Sequence, residues 1–299
     1  VSHRFETYGT GVGSPASYLY GGTQAQAGLL PSNAGPHSRV VYSTYLDLSA
    51  RLTRNWQAEL AGRYAHYTDF GNTYNGKAST RYDITPKLAV RATFSTGTRA
   101  PSLANEYYSA LAVGPESASG TLAANSAAAR LLGATPLKPE YATNLTAGLV
   151  YSPLRRLHVT LDAYQIDIRD RIVSGPGISG NAALEALRVQ GIAVSSSLAP
   201  DDVSASFFTN AAATRTRGVD VTVTYRTEFG RFGNVDWDAS LNANYTSIRH
   251  VNTLANGMSA LNAQTAAYLA CSTPQHWIIF GGYWQSASGT WDGSMHDQR

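Results

Sequence analysis

Between residues 141 and 151 the side chains alternate. Tyr141, Thr143, Leu145, Ala147, Leu149 and Tyr151 fall on one side, and Asn144, Thr146 and Gly148 on the other. A period of two belongs to a strand, because helical side chains repeat every 3.6 residues. Ser152-Pro153-Leu154-Arg155 interrupts it with a turn, since proline cannot join a central ladder. Leu157, Val159 and Leu161 then resume the alternation against His158, Thr160 and Asp162. About ten residues per strand, at about 3.3 Å each and a tilt near 40°, span roughly 25 Å, the height of the apolar band on a membrane barrel. One hairpin would suit a soluble sheet equally well; only repetition along the chain separates the two.

The pattern repeats. Val40, Tyr42, Leu46, Leu48 and Leu52 oppose Ser43, Asp47 and Arg51, and Thr53-Arg54-Asn55 reverses the chain. Trp56, Leu60 and Tyr64 alternate with Gln57, Glu59 and Arg63; Ala78, Tyr82 and Ile84 with Lys77, Arg81 and Asp83; Leu88, Val90 and Phe94 with Lys87, Arg91 and Ser95. Further on, Val219, Val221, Val223 and Tyr225 oppose Asp220 and Arg226, and Val235, Trp237, Leu241 and Tyr245 oppose Asp236, Asp238, Asn242 and Asn244. Short turns at Arg54, Pro86, Pro153 and Gly230 take turns with long segments at 9–38, 98–138 and 174–204. A weakly patterned strand at 2–8 and two strands after a loop at 250–273 bring the expected number to about eleven. Residues 277–284 are apolar on both sides, so the pattern leaves that strand without an orientation.

Composition favours a membrane barrel over a soluble sheet. Charged residues are 14%, against about 25% in soluble domains. The polar faces carry compact Asp, Asn, Ser and Thr with single Arg or Lys residues, which suits a wet, crowded lumen. Six apolar faces begin or end in Tyr or Trp (Tyr42, Trp56, Tyr64, Tyr82, Tyr151, Tyr225, Trp237 and Tyr245), where an interfacial girdle would stand. No run nears the 18 apolar residues of a membrane helix. A net charge of +3 gives no footprint for nucleic acid, and the lone Cys271 gives no disulfide framework. The expected fold is all-β: an antiparallel transmembrane β-barrel, partial, occupying residues 1–299 as one domain. Val1 is not a start residue and Arg299 stops within a strand-like stretch, so the chain reads as an internal piece of a longer protein.

Candidate chemistry is sparse. Gly175-Pro-Gly177-Ile-Ser-Gly180 matches a dinucleotide loop ahead of a helix at 181–190, but no parallel βαβ unit surrounds it, and a loop with a short Asn181-capped helix needs no cofactor. Seven dispersed histidines offer no metal spacing, and Asp201-Asp202 reads as a solvated loop tip. No G-x-S-x-G elbow accompanies Ser, His and Asp, so no catalytic residue is assigned and the chain does not read as an enzyme. Arg99, Glu106, Tyr107 and Tyr108 are the ligand-contact candidates; for Arg99 and Glu106 an ion pair bracing the loop base is the better expectation, and for the tyrosines an ordinary place at a barrel rim.

Four stretches carry a family resemblance. Gly97-Thr-Arg99-Ala-Pro101-Ser-Leu103 with Glu106-Tyr107 resembles a "G-x-R-A-P-S-L" segment of TonB-dependent outer-membrane receptors. Leu137-Lys-Pro139-Glu140 with Asn144 and Gly148 is similar to their "L-K-P-E" run, and residues 162–172 to the strand that follows it. Asn210 with Gly218-Val-Asp220 resembles their "N-x7-G-V-E" strand. Each is loose alone; four in the family's order are specific. The resemblance implies a bacterial outer-membrane receptor that imports a scarce small-molecule ligand, most often a ferric siderophore, with energy delivered through TonB. Its partners would be outer-membrane lipid, the ligand, and TonB through a plug region and TonB box that this sequence lacks. It also implies a 22-strand parent, within which this chain would supply about strands nine to nineteen. A passive porin-like channel and a soluble secreted carbohydrate-binding β-protein stand as alternatives.

Three structural expectations follow. Leu46, Leu48, Leu60, Val90, Leu149, Val159, Val221 and Leu241 should face lipid, and Glu59, Arg63, Arg91, Asp220, Asp238 and Asn242 the lumen, so that arginine is costly at 241 and mild at 242. The apolar positions switch from odd to even after Ala163 (Tyr164, Ile166, Ile168), which demands either a bulge near Ala163 or a strand that leaves the bilayer there. Lastly, eleven strands of a larger barrel should form a curved open sheet with the long segments at one end.

Overall fold

The structure is a computed structural model, and it describes residues 1–11, 34–113, 116–191, 194, 198–271, 275–286 and 289–298. In chain order the elements are β1 (Ser2–Thr10), β2 (Gly35–Arg51), β3 (Trp56–Tyr67), β4 (Gly71–Thr85), β5 (Leu88–Arg99), α1 (Leu103–Tyr107), β6 (Ala110–Val113), β7 (Ala118–Leu122) and α2 (Ala127–Leu131). They continue with β8 (Glu140–Leu154), β9 (Leu157–Ser174), β10 (Ile178–Ser179), α3 (Asn181–Val189), β11 (Val203–Glu228), β12 (Asn234–Val251), α4 (Ala263–Cys271), β13 (His276–Ser286) and β14 (Gly289–Gln298). Eleven of these strands make one antiparallel wall in the order β1-β2-β3-β4-β5-β8-β9-β11-β12-β13-β14. Each strand pairs with the next in sequence along that path, and β1 and β14 form its two edges. No helix is long and apolar enough to cross a membrane.

The register confirms the two faces. Trp56, Tyr82, Val90, Leu149, Leu161, Val221, Leu241 and Ile278 stand opposite one another across eight successive strands. One residue on, Gln57, Arg81, Arg91, Gly148, Asp162, Asp220, Asn242 and Trp277 form the matching row on the other face. The apolar face is exposed, with Leu60 at 60% and Leu241 at 41%, as an outward face meeting lipid requires. All eight residues expected on the lipid side lie on this outward face, and all six expected in the lumen lie inward. β13 takes its orientation from its partner: Ile278 and Phe280 face out beside Leu241 and Ala239. The girdle aromatics satisfy their polar ends locally. Trp56 Nε1 donates to Thr80 Oγ1 at 2.7 Å, Trp237 Nε1 to Thr227 Oγ1 at 3.1 Å, and the Tyr64 hydroxyl to Asn72 Oδ1 at 2.9 Å.

The inward row explains one glycine. Arg91 Nε donates to Asp162 Oδ1 at 2.9 Å, and this pair reaches across β8 above Gly148. A Cβ at Gly148 would overlap the Asp162 carboxylate and crowd Arg91 Nε at 3.0 Å. Gly148→Ala should therefore displace the Asp162 carboxylate and loosen its pair with Arg91, at a cost of about 1 kcal/mol or less. Gly62→Ala, where nothing lies within 4 Å, should be neutral. Urea unfolding of both variants in lipid vesicles, followed by tryptophan fluorescence, measures the difference.

The phase change in β9 coincides with a change in the character of the outward face. Pairing is regular from Asp162 through Ile168 on both sides, so there is no bulge near Ala163. The outward face itself turns polar there: above Ala163 it carries Gln165, Asp167 and Arg169, beside Arg217 and Arg215 of β11. Tyr164 and Ile166 point inward because apolar side chains are no longer wanted outside. Tyr164 lays its ring over Gly218, where a Cβ would collide with it. The irregularity comes later, between Ile168 and Arg171, where Asp170 adopts φ 57°.

Buried apolar residues gather at one end of the wall. The long segments after β5, β9 and β12 fold together into a cap. The β6–β7 hairpin pairs in parallel with the upper part of β11 through β7, and α2, α3 and β10 close over it. Leu111, Leu122, Leu132, Leu187, Val203 and Phe207 form its centre, each 1% exposed or less, and Leu254 joins from beyond β12. The first long segment, at 9–38, lies largely outside the described residues.

Candidate functional site

The segment from Arg99 leaves the top of β5 and turns inward. Ser102 caps α1: its Oγ accepts from the Asn105 N–H at 3.1 Å, and Asn105 Oδ1 accepts from the Ser102 N–H at 3.3 Å. Leu103 buries itself behind the cap, and extended backbone at Tyr108 ends the turn. α1 thereby rests on β1 and β2.

Arg39 of β2 is the centre of that contact. It is 5% exposed; its Nε donates to Glu6 at 2.5 Å, and its Nη1 to Asp69 at 3.2 Å and to the Pro101 carbonyl at 2.7 Å. Tyr67 and Phe70 cover its guanidinium, their ring centres 5.5 and 5.9 Å away. A buried cation persists only when so paired, and here the pairing fixes the loop to the wall.

Glu106 points into the same place and is 6% exposed. Burial first, and Asp69 second, push its carboxyl up to about 7, while Arg39 pulls the other way. The folded protein thus favours neutral Glu106. Its contribution to docking is fully present below the ordinary value of 4.5 and is lost as pH rises through about 7. Amides of residues 103–108 should exchange more slowly at pH 5 than at pH 8, after correction for the intrinsic rate, and Glu106→Gln should remove that dependence. Equal protection at both pH values in the native protein would contradict the burial of this carboxyl.

The other candidates are placed as follows. Arg99 reaches Glu140 at 3.2 Å, so the expected Arg99–Glu106 ion pair is replaced by Arg99–Glu140 and by the Arg39 cluster. The correction has a geometric cause: Arg99 and Glu140 are cross-strand partners, whereas α1 carries Glu106 over β2. Tyr107 stacks on His37 with ring centres 3.7 Å apart and planes 6° from parallel. Tyr108 is half-buried beside it. Below α1 the inner wall holds a pocket of about 350 Å³ lined by Arg4, Arg39, Arg63, Arg99, Asn75 and Thr98. Arg63 spends one donor on Ser43 Oγ at 3.3 Å. Arg4, Arg39 and Arg99 are paired with Glu6, with Glu6 and Asp69, and with Glu140, so Arg63 is the guanidinium here best able to meet an oxygen-rich anion. Arg63 was legible as a lumen residue but not as part of a site; Arg39 sits at the margin of a segment that reads as loop.

Two of the family-like motifs have structural work. Asn210 donates from Nδ2 to the carbonyls of Lys138 at 2.9 Å and Asp170 at 2.7 Å, and its Oδ1 accepts from the Lys138 N–H at 2.8 Å. Glu140 accepts from the Ile172 N–H at 2.7 Å, just past the bulge. The glycine loop at 175–180 is also structural. Its Gly175 N–H bonds to Phe207 and its Gly180 N–H to Pro200, leaving neither for a phosphate. Gly180, at φ 88°, occupies the cap position of α3, and Asn181 is the first helical residue instead of the cap. Among the described residues no cluster of three or more His, Cys, Asp or Glu is arranged for a metal.

The family described as TonB dependent receptor-like, beta-barrel matches residues 2–297. No curated protein matches the chain. Among solved structures it is similar to a mutant of the ferric enterobactin receptor from Pseudomonas aeruginosa, with TM-score 0.62 and 14% identity over 98% of this chain and 37% of that one. The siderophore receptor PirA from Acinetobacter baumannii gives 0.58 and 13%, over 97% and 38%. The outer membrane transporter YddB from Escherichia coli gives 0.54 and 10%, over 89% and 34%. The chain thus spans between a third and two fifths of each of these structures, and at such identities the likeness is one of fold. With strands, faces and motifs in agreement with a family match over nearly its whole length, this chain belongs to the TonB-dependent receptor-like β-barrels, a family of receptors and not of enzymes.

Proposed function

We propose that this chain forms part of the wall of an outer-membrane receptor that takes up a scarce small-molecule ligand, such as a ferric siderophore, with energy delivered through TonB. The observation that carries this is the family match over residues 2–297. The folded cap and the arginine-lined pocket at the same end of the lumen support it. In this reading residues 1–299 belong to the barrel domain of a longer, 22-strand parent whose plug and TonB box lie elsewhere. The short turns face the periplasm and the cap faces out. Arg99, which lines the pocket, is the best placed of the four ligand candidates. Glu106 and Tyr107 act through the packing of α1, and Tyr108 stands at its edge.

Uptake of radio-iron ferric siderophores by iron-starved cells tests the proposal, with and without the intact gene and in TonB-deficient cells. Uptake should require both, and Arg63→Gln should weaken it about tenfold through loss of a charge-assisted contact. Uptake that survives without TonB would make the protein a passive channel. Uptake indifferent to the gene would remove the siderophore from the account.

A further inference from the structure

The connection from β5 to β8 bridges the wall. On one side it rests α1 on β2, three strands from β5, and on β1 beyond it. On the other side it pairs β7 with β11, again three strands away. α1 is tied to the cap as well as to the wall. The Asn125 N–H, between β7 and α2, donates to the Glu106 carbonyl at 3.4 Å, and the Asn125 side chain hydrogen-bonds that of Tyr107. Where this strap meets the wall it covers it. Val41, Ala65 and Tyr67 stand at inward positions yet are buried, packed against Ala100 and Phe70. Lower on the same strands the inward residues Asp47 and Arg63 are exposed.

The charges under α1 are balanced without Glu106. Arg4 pairs with Glu6, and Arg39 with Glu6 and Asp69, so two cations already face two carboxylates. Glu106 lies buried beside Asp69 and Arg39, and an ionised carboxylate there would be uncompensated. The other titratable groups around α1 are Tyr8 of β1, His37 of β2, and Tyr107 and Tyr108 of the strap itself.

We propose that α1 is a proton-operated latch: neutral Glu106 holds the strap against β1 and β2 over the arginine-lined pocket, and its ionisation releases the strap and uncovers the pocket. Ala65, Tyr67 and Ala100 all line that pocket, so lifting Ala100 opens it from above. Burial first, and Asp69 second, push the Glu106 carboxyl from 4.5 up to about 7. The proton's contribution to docking is therefore complete below 4.5, shrinks as pH rises, and is gone above about 7. The latch regulates the pocket assigned to the receptor's ligand, and it rests on that reading for its purpose alone.

The test uses the full receptor in neutral detergent, carrying Cys271→Ser and the reporter Ala65→Cys, which the docked strap buries. Modification of that cysteine by N-ethylmaleimide is followed by mass spectrometry, and Val41→Cys serves as a second reporter. The rate with native Glu106 is divided by the rate in Glu106→Gln at the same pH, which cancels the reactivity of the thiol itself. The ratio should rise at least about tenfold from pH 5.5 to 8.5. Its ceiling is about thirtyfold, set by a carboxyl that moves between 4.5 and about 7. Asp69→Asn, which removes the repelling charge, should shrink the rise, and His37→Gln should leave it in place. A ratio that is flat with pH would overturn the proposal. So would a rise that disappears in His37→Gln, because it would assign the device to the histidine. Iron, ligand and TonB do not enter the readout, so failure of the latch leaves the uptake reading standing, and failed uptake leaves the latch to be judged by its own result.

Discussion

Leu48→Arg and Leu241→Arg should each cost about 2–4 kcal/mol of folding free energy in a bilayer. Both positions face outward at mid-height. Leu241 lies midway between Trp237 and Tyr245 on β12, and Leu48 is the cross-strand partner of Leu60, midway between Trp56 and Tyr64. An arginine there must thin the bilayer or drag water into it. Asp47→Arg, one residue from Leu48 but inward and exposed, should cost about 1 kcal/mol or less. Asn242 is not the mild control that the alternation suggests. It is 6% exposed, its Nδ2 donates to the Tyr164 hydroxyl at 3.1 Å and to Asp220, and arginine would break both bonds. Urea titration of the refolded barrel in vesicles gives the comparison; equal costs at Leu48 and Asp47 would contradict the assignment of faces.

Asn210→Ala should cost about 2–3 kcal/mol, and Asn210→Asp more. The amide makes three hydrogen bonds to backbone groups on two other segments, each worth about 1 kcal/mol net. Two of them hold the Lys138 peptide, which leads into β8, and the third holds Asp170 in its left-handed conformation at the β9 bulge. Aspartate would lose both donors and set a negative charge against two carbonyls. The same unfolding experiment measures the loss. An unchanged midpoint in Asn210→Ala would show that the bulge is held by its neighbours alone.

The wall was legible in the sequence because alternation is a local signal: each strand declares its own two faces, and Arg54, Pro86, Pro153 and Gly230 mark its turns. The cap was not legible. Ala110–Val113 and Ala118–Leu122 are too short to show a period, and β7 takes its pairing from Val203–Phe207, some eighty residues away in sequence. The motifs pointed to the right residues with an incomplete rationale. Glu140 and Asn210 were visible as family-like letters, but their partners (Ile172, Lys138 and Asp170) appear only once three strands meet. Arg39 gave no signal, since nothing in its surroundings in sequence says that Glu6, Asp69 and Pro101 converge on it. The odd-to-even switch after Ala163 marks where the outward face turns polar; the bulge expected near Ala163 is not there, and the irregularity of this strand lies further on, at Asp170.

Cys271 offers the most direct test of an outer-membrane barrel with its cap outside. It is the single cysteine of the chain, exposed at the end of α4 and thus at the cap end of the wall. In intact cells producing the full receptor, a membrane-impermeant maleimide should label Cys271 to the same extent as after lysis. In a Cys271→Ser background, Arg231→Cys, in the short turn between β11 and β12, should be labelled only once the cells are broken. The reverse pattern, or protection of both positions in intact cells, would contradict the account.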